Sequence, residues 1–219
     1  MIFMTLQQSQ RLVTRQIAKL SLAKLRSWEK RKLLTPMLAR EIFLRSTDEN
    51  VCLSFHNYFD SRVKEGDMRS LKFLNDITSE KVNSSIVSRM RALEILGNLV
   101  LWDKKMTLKG LLIGVTDSDA QCRKTALFYL KEIAERNEPK VLPGLLKGLE
   151  DSVSENRNLA FSGVMNLARH CDRRVFLELV RRIKEHRDTH DFGINGITIL
   201  AGLGDKVAHE FLKEYGQKN

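Results

Sequence analysis

The sequence predicts an all-α chain built from a helical hairpin that repeats along its length. Three observations carry that expectation. Proline occupies only three of 219 positions while Leu, Lys, Arg and Ala are frequent, a composition that favours helices over strands. Apolar residues recur at i, i+3, i+4 and i+7, the stripe of an amphipathic helix. The segment DSDAQCRKTALFYL, starting at Asp117, returns as DSVSENRNLAFSGV, starting at Asp151. Both copies place Asp-Ser first, Arg seventh and Ala tenth, and a period of this size marks stacked supersecondary units.

The first element is a basic arm, residues 1–36. The formal charge is +10, but residues 1–40 hold nine basic residues against the single acid Glu29, whereas the rest holds 28 basic against 26 acidic. The charge therefore belongs to the arm and points to an anionic partner for it. Leu6, Val13, Ile17, Leu20 and Leu25 fall at near-helical spacing among Arg11, Arg15, Lys19, Lys24, Arg26, Lys30, Arg31 and Lys32. This basic amphipathic helix either packs on the first repeat or docks on an acidic protein, RNA or an anionic membrane surface. A third reading is a mitochondrial transit peptide, which suits an Arg-rich, acid-free stretch.

Residues 37–66 read as a helical cap outside the repeat. Phe43, Phe55, Tyr58, Phe59 and Val63 supply its apolar cluster.

Residues 67–219 hold the repeats, at about 67–106, 107–140, 141–174 and 175–212. At an offset of 34, Leu108, Leu111, Leu112 and Val115 fall on Leu142, Leu145, Leu146 and Leu149. Arg123, Ala126, Leu130 and Ile133 fall on Arg157, Ala160, Val164 and Leu167. Arg89, Ala92, Leu93, Leu96 and Leu99 precede them, and Phe176, Leu179, Val180 and Ile183 follow, at the same spacing. Each unit reads as two helices broken at Asp-Ser. Ser118 with Gln121, and Ser152 with Glu155, match the capping box that would open each second helix. Pro139 bars the second helix from running on.

Leu-x-x-Leu-Leu, then Asp, then Arg after five intervening residues, then Ala three later, resembles the HEAT repeat over residues 67–212. The resemblance implies a right-handed α-solenoid. It also implies an inter-repeat ladder of Asp117 and Asp151 with Arg89, Arg123 and Arg157. Asn83 stands where Asp is expected and Asp191 where Arg is, so the ladder is incomplete at both ends, as in capping repeats. A tetratricopeptide array shares the period, but its aromatic positions are unfilled here and the Asp-Ser break comes too early.

No residue set reads as catalytic. His186 and His190, followed by Asp191, have the spacing of a helical metal pair but lack the Glu of H-E-x-x-H. Asp191-Phe192-Gly193 copies a kinase tripeptide without its companions. The glycines at 193, 196, 202 and 204 make no phosphate loop; they permit close helix packing or loosen the final unit. His209-Glu210 is one pair where a di-iron HEAT-repeat hydroxylase family needs several. Cys122 sits at a core position as a small hydrophobe. No metal, cofactor or small-molecule substrate is expected. Cys52, Cys122 and Cys171 show no C-x-x-C spacing, so reduced thiols in the cytoplasm are expected, with mitochondrial or peripheral membrane placement as alternatives. No apolar run approaches the length of a transmembrane helix, and no signal core is evident.

The expected function is a non-enzymatic scaffold, adaptor or assembly subunit. Its partner groove is placed on the second helices, at Lys124, Phe128, Lys131, Met165, Arg169, Phe192 and Leu203. Phe128 and Met165 form the centre of an apolar track, unless the helix rotation puts some of these residues in the core. The alternative is nucleic-acid binding, as in the alkylpurine DNA glycosylase family, whose HEAT-like repeats hold DNA on a basic concave face. The near-neutral body argues against that.

Overall fold

The computed structural model describes residues 36–46, 49–79, 84–101, 103–170, 173–185 and 190–217. The basic arm with Arg11, Arg15, Lys19, Lys24, Arg26, Lys30, Arg31 and Lys32 lies outside them, as do Asn83, Cys171 and His186. Among the described residues the fold is all-helical, with eleven α-helices and no strand. They are α1 (Pro36–Arg45), α2 (Glu49–Lys64), α3 (Met68–Thr78), α4 (Ile86–Asn98), α5 (Lys104–Gly114) and α6 (Ala120–Glu135). After a 3-10 turn (Pro139–Val141) come α7 (Leu142–Gly148), α8 (Ser154–Ala168), α9 (Arg173–Glu185), α10 (His190–Gly202) and α11 (Lys206–Gly216).

The chain divides into two compact units, Met1–Cys122 and Arg123–Asn219. In the first, α2 packs on α4 and α3 on α5, while α4 also packs on α3 and α5. Alternate helices thus pack on each other as well as on their chain neighbours. Phe43, Phe55 and Phe59 fill the cap end, with ring centroids 5.3 to 6.2 Å apart, and Phe73 adds its ring at 5.5 Å from Phe59. In the second unit α7 packs on α8, α8 on α9 and α10, α9 on α10, and α10 on α11.

The repeat period is visible in the elements. Helices α4, α6 and α8 begin at Ile86, Ala120 and Ser154, evenly spaced along the chain. Leu108, Leu111 and Val115, and their equivalents Leu142, Leu145 and Leu149, are buried. So are Ala92, Leu93 and Leu96, their equivalents Ala126, Leu127 and Leu130, and Ala160 and Val164 after them. Leu112, Leu146 and Val180 share one register position, and all three are half-buried. A position that keeps its environment through three copies is set by packing shared among the copies.

Helix α6 stops where Pro139 requires. Asn137 adopts φ 57°, and Pro139 then opens the 3-10 turn. Two boundaries differ from the expected ones: α9 already begins at Arg173, and α11 runs past residue 212 to Gly216. The expected capping boxes are out of register with the helix starts. Asp119, not Ser118, stands at the cap of α6: its Oδ1 accepts from the backbone N–H of Gln121 at 2.9 Å and of Cys122 at 3.1 Å. The N-cap of α8 is Val153, which has no side-chain cap bond, so Ser152 lies one residue too early. In both copies a carboxylate from the preceding loop takes the backbone N–H that follows the Asp-Ser step. That leaves the serine exposed at the start of the turn. Asp119→Ala is expected to cost about 1 kcal/mol, which thermal denaturation measures.

Cys122 is buried and its Sγ donates to the Ile86 carbonyl at 3.7 Å. Burial pushes its thiol up to about 12, with the nearby Asp117 carboxylate adding to the effect. A thiol that stays protonated at neutral pH is a packing group, not a nucleophile.

Candidate interaction surface

The repeated charges build one clamp twice. In the first unit, Arg89 on α4 reaches the loop between α5 and α6. Its Nε donates to Asp117 Oδ2 at 2.8 Å and its Nη2 to Oδ1 at 3.1 Å. The backbone N–H of Asp119 donates to the same Oδ1 at 2.8 Å. In the second unit, Arg123 on α6 reaches the loop between α7 and α8. Its Nε donates to Asp151 Oδ2 at 2.7 Å and its Nη2 to Oδ1 at 3.0 Å. The backbone N–H of Val153 donates to that Oδ1 at 2.9 Å. The two clamps match atom for atom, one repeat period apart. The first ties α4 to the turn between α5 and α6, the second α6 to the turn between α7 and α8.

Both carboxylates are withdrawn from solvent, with the Asp117 side chain 0% and the Asp151 side chain 3% exposed. A buried carboxylate is tolerated only when its oxygens are satisfied by good donors. Burial alone would raise the Asp151 pKa. The bonds from Arg123, the Val153 N–H and Asn156 outweigh that and hold it at about 2. Because the folded value lies below the unfolded one near 3.9, the stabilisation is fully present above about pH 5. It is lost progressively as the pH falls from about 5 through 2, and amounts to about 2 to 3 kcal/mol. Melting curves between pH 5 and pH 2 are expected to show a loss in the parent that is smaller in Asp151→Asn by about the contribution of this one carboxylate.

Arg157, the third arginine of the ladder, behaves differently. Its Nη1 donates to the backbone carbonyls of Asp151 at 2.8 Å and Ser152 at 3.1 Å. It braces the same turn that Arg123 holds.

The proposed groove centre needs correction. Met165 is 5% exposed and packs in the core of the second unit. A Cβ added at Gly196 would lie 3.1 Å from the Met165 methyl and 2.8 Å from Leu179 Cδ1. Phe128 is 44% exposed, as a surface group would be. The two do not occupy equivalent places in the repeat: the counterpart of Phe128 is Ser162, which is exposed, and that of Met165 is Lys131. Met165 lies three positions beyond Ser162, about 60° round the helix, on the edge that α8 shares with the buried Val164 and Ala168.

The remaining face is polar around one aromatic. Lys131 Nζ stands 5.5 Å from the centroid of the Phe128 ring, a cation–π geometry. Lys124 pairs with Glu155 at 2.6 Å and Lys131 with Glu132 at 2.8 Å. Arg169 is exposed and donates to Asn166 Oδ1 at 3.3 Å. Phe192 is half-buried, its ring 5.2 Å from that of Phe161. Leu203 is 54% exposed, in the turn just after α10.

A second apolar surface escaped the sequence reading. Between α9 and α11 runs a groove of about 430 Å³, floored by Phe176, Val180, Ile183, Val207, Phe211 and Tyr215 and rimmed by Lys184, Glu210 and Glu214. Val207, Phe211 and Tyr215 recur at i, i+4 and i+8, a stripe that periodicity alone could have exposed. His209 and Glu210 are both exposed or nearly so at the surface of α11, and no cluster of three metal-ligating side chains occurs among the described residues. Among those residues, too, no helix is long and apolar enough to cross a membrane. No protein-family model matches the chain, and no curated protein matches it.

Proposed function

We propose that the chain is a HEAT-like α-solenoid that acts as a non-enzymatic scaffold or adaptor for other proteins. The observation that carries this reading is the Arg–Asp clamp built twice with the same atoms. The charged residues that the sequence repeats serve stacking, which is what a repeat scaffold needs from them. The surface left over is a helical face with an exposed aromatic at Phe128 and an apolar groove between α9 and α11. Exposed apolar groups of this kind are the usual anchors of protein interfaces. The basic arm supplies a second, electrostatic contact.

Affinity capture with the intact chain, with a chain lacking residues 1–34 and with Phe128→Asp tests the reading. A partner held by the intact chain and weakened by at least one change is expected. Binding of a labelled duplex and a labelled RNA at two salt concentrations is expected to be weak and indifferent to sequence. It should fall steeply with salt and disappear without residues 1–34. Tight, sequence-selective binding by the truncated chain would replace the adaptor reading with a nucleic-acid one.

A further inference from the structure

We propose that the first unit carries a binding site for a phosphate monoester with an apolar body. The site is an open cleft of about 680 Å³ between α1, the end of α2 and the start of α3. Its apolar wall comes from Leu44, Met68 and Phe73, and its charge from Arg40, Arg62 and Arg69 against Glu41 and Asp67.

The charges divide into those already paired and those left over. Arg62 Nε holds Asp67 Oδ2 at 2.7 Å, and Asp67 Oδ1 in turn accepts from the backbone N–H groups of Arg69 and Ser70 as the cap of α3. Burial raises the Asp67 pKa, but the bonds from Arg62 and Ser70 outweigh it, so the carboxyl stays ionised and committed. Glu41 is paired with Arg45 at 2.9 Å. Among the described residues neither Arg40 nor Arg69 has an ion-pair partner, so two guanidinium charges remain.

Arg40 is held in place by packing. Its guanidinium carbon lies 5.1 Å from the Phe73 centroid. Its Nε is buried and has no hydrogen-bond partner. A buried donor without an acceptor is unfavourable; because this atom is closed to solvent, a ligand in the cleft would meet Arg40 through its charge and not through the Nε. Gly66, at φ 90°, turns the chain from α2 into the cap of α3, and nothing lies within 4 Å of where its Cβ would be. The turn therefore leaves the mouth of the cleft open.

The ligand chemistry follows from this inventory. Two unpaired arginines match the charge of a phosphate monoester, about −1.5 to −2 at neutral pH. Guanidinium forks suit phosphate oxygens geometrically. The wall of Phe73, Leu44 and Met68 favours an ester carrying a ring or alkyl group over the bare ion, and the volume is that of a small organic ligand. The same chemistry could arrive as a free aryl phosphate or as a phosphorylated side chain of a partner protein.

Titration calorimetry with the full chain decides it, using phenyl phosphate, inorganic phosphate, phenol and a short phosphotyrosine peptide. Phenyl phosphate is expected to bind saturably and more tightly than inorganic phosphate, while phenol gives no response. Arg40→Gln and Arg69→Gln are each expected to weaken it by roughly tenfold, and Lys105→Gln, an exposed charge on α5, to leave it unchanged. Arg69 is exposed at the start of α3, so its variant reads binding even if Arg40→Gln loosens the packing against Phe73. Tighter binding of the peptide than of phenyl phosphate would assign the ligand to a partner protein, and the reverse to a free metabolite. No saturable binding of either, or an equal loss in Lys105→Gln, would overturn the proposal.

Discussion

Arg123→Ala is expected to destabilise the unit Arg123–Asn219 by roughly 3 kcal/mol, the lower end of the range for removing one partner of a buried ion pair. The Asp151 side chain is 3% exposed and would keep only the Val153 N–H and Asn156 as donors. Those two bonds hold the cost at the low end. Arg89→Ala is expected to do the same to the first unit, because the Asp117 side chain is fully buried and clamped through the same atoms. Arg157→Ala is expected to cost only about 1 kcal/mol, since its bonds go to backbone carbonyls that can turn to water. Thermal melts rank the three variants. Melts of Arg123→Ala and Arg89→Ala that match the parent would remove the clamps from the account.

Met165→Asp is expected to unfold the second unit. A carboxylate at a site 5% exposed, against Leu179 and Gly196, has no donor to meet it, and several kcal/mol is a large part of a domain's stability. Phe128→Asp is expected to stay within about 1 kcal/mol of the parent, because its ring is 44% exposed and is met by the Tyr129 ring at 5.3 Å and the Lys131 ammonium at 5.5 Å on its own helix. Circular dichroism of the two single variants separates them, with helical content lost in the first and kept in the second. The reverse pattern would mean that the helix faces are assigned the wrong way round.

Much of the helical packing was legible because apolar residue types return at a fixed interval in the sequence. Leu108, Leu111, Ala126 and Leu130 each have an apolar counterpart one period on, and a residue type that returns at a fixed interval reports the same environment twice. The family resemblance implied a ladder of Asp117 and Asp151 with Arg89, Arg123 and Arg157; which arginine meets which aspartate came from the structure, where Arg157 goes to backbone carbonyls instead. What the sequence hid was decided by single residues of register. Ser118 and Asp119 are both good caps, and only the backbone geometry chooses Asp119. Phe128 and Met165 are both large and apolar, and only helix rotation puts one in solvent and the other in the core. The cleft around Arg40 and Arg69 was out of reach for a different reason. Its residues come from three helices with no motif in common, and the feature that marks them is a missing ion-pair partner, which no sequence displays.

The two Arg–Asp clamps share one geometry, atom for atom, and are expected to be energetically equivalent. Double-mutant cycles measure this most directly, one with Arg89→Ala and Asp117→Ala, the other with Arg123→Ala and Asp151→Ala. Coupling of about 2 kcal/mol or more is expected in both cycles, equal within about 1 kcal/mol. Coupling near zero in either cycle, or strong coupling in one alone, would contradict it.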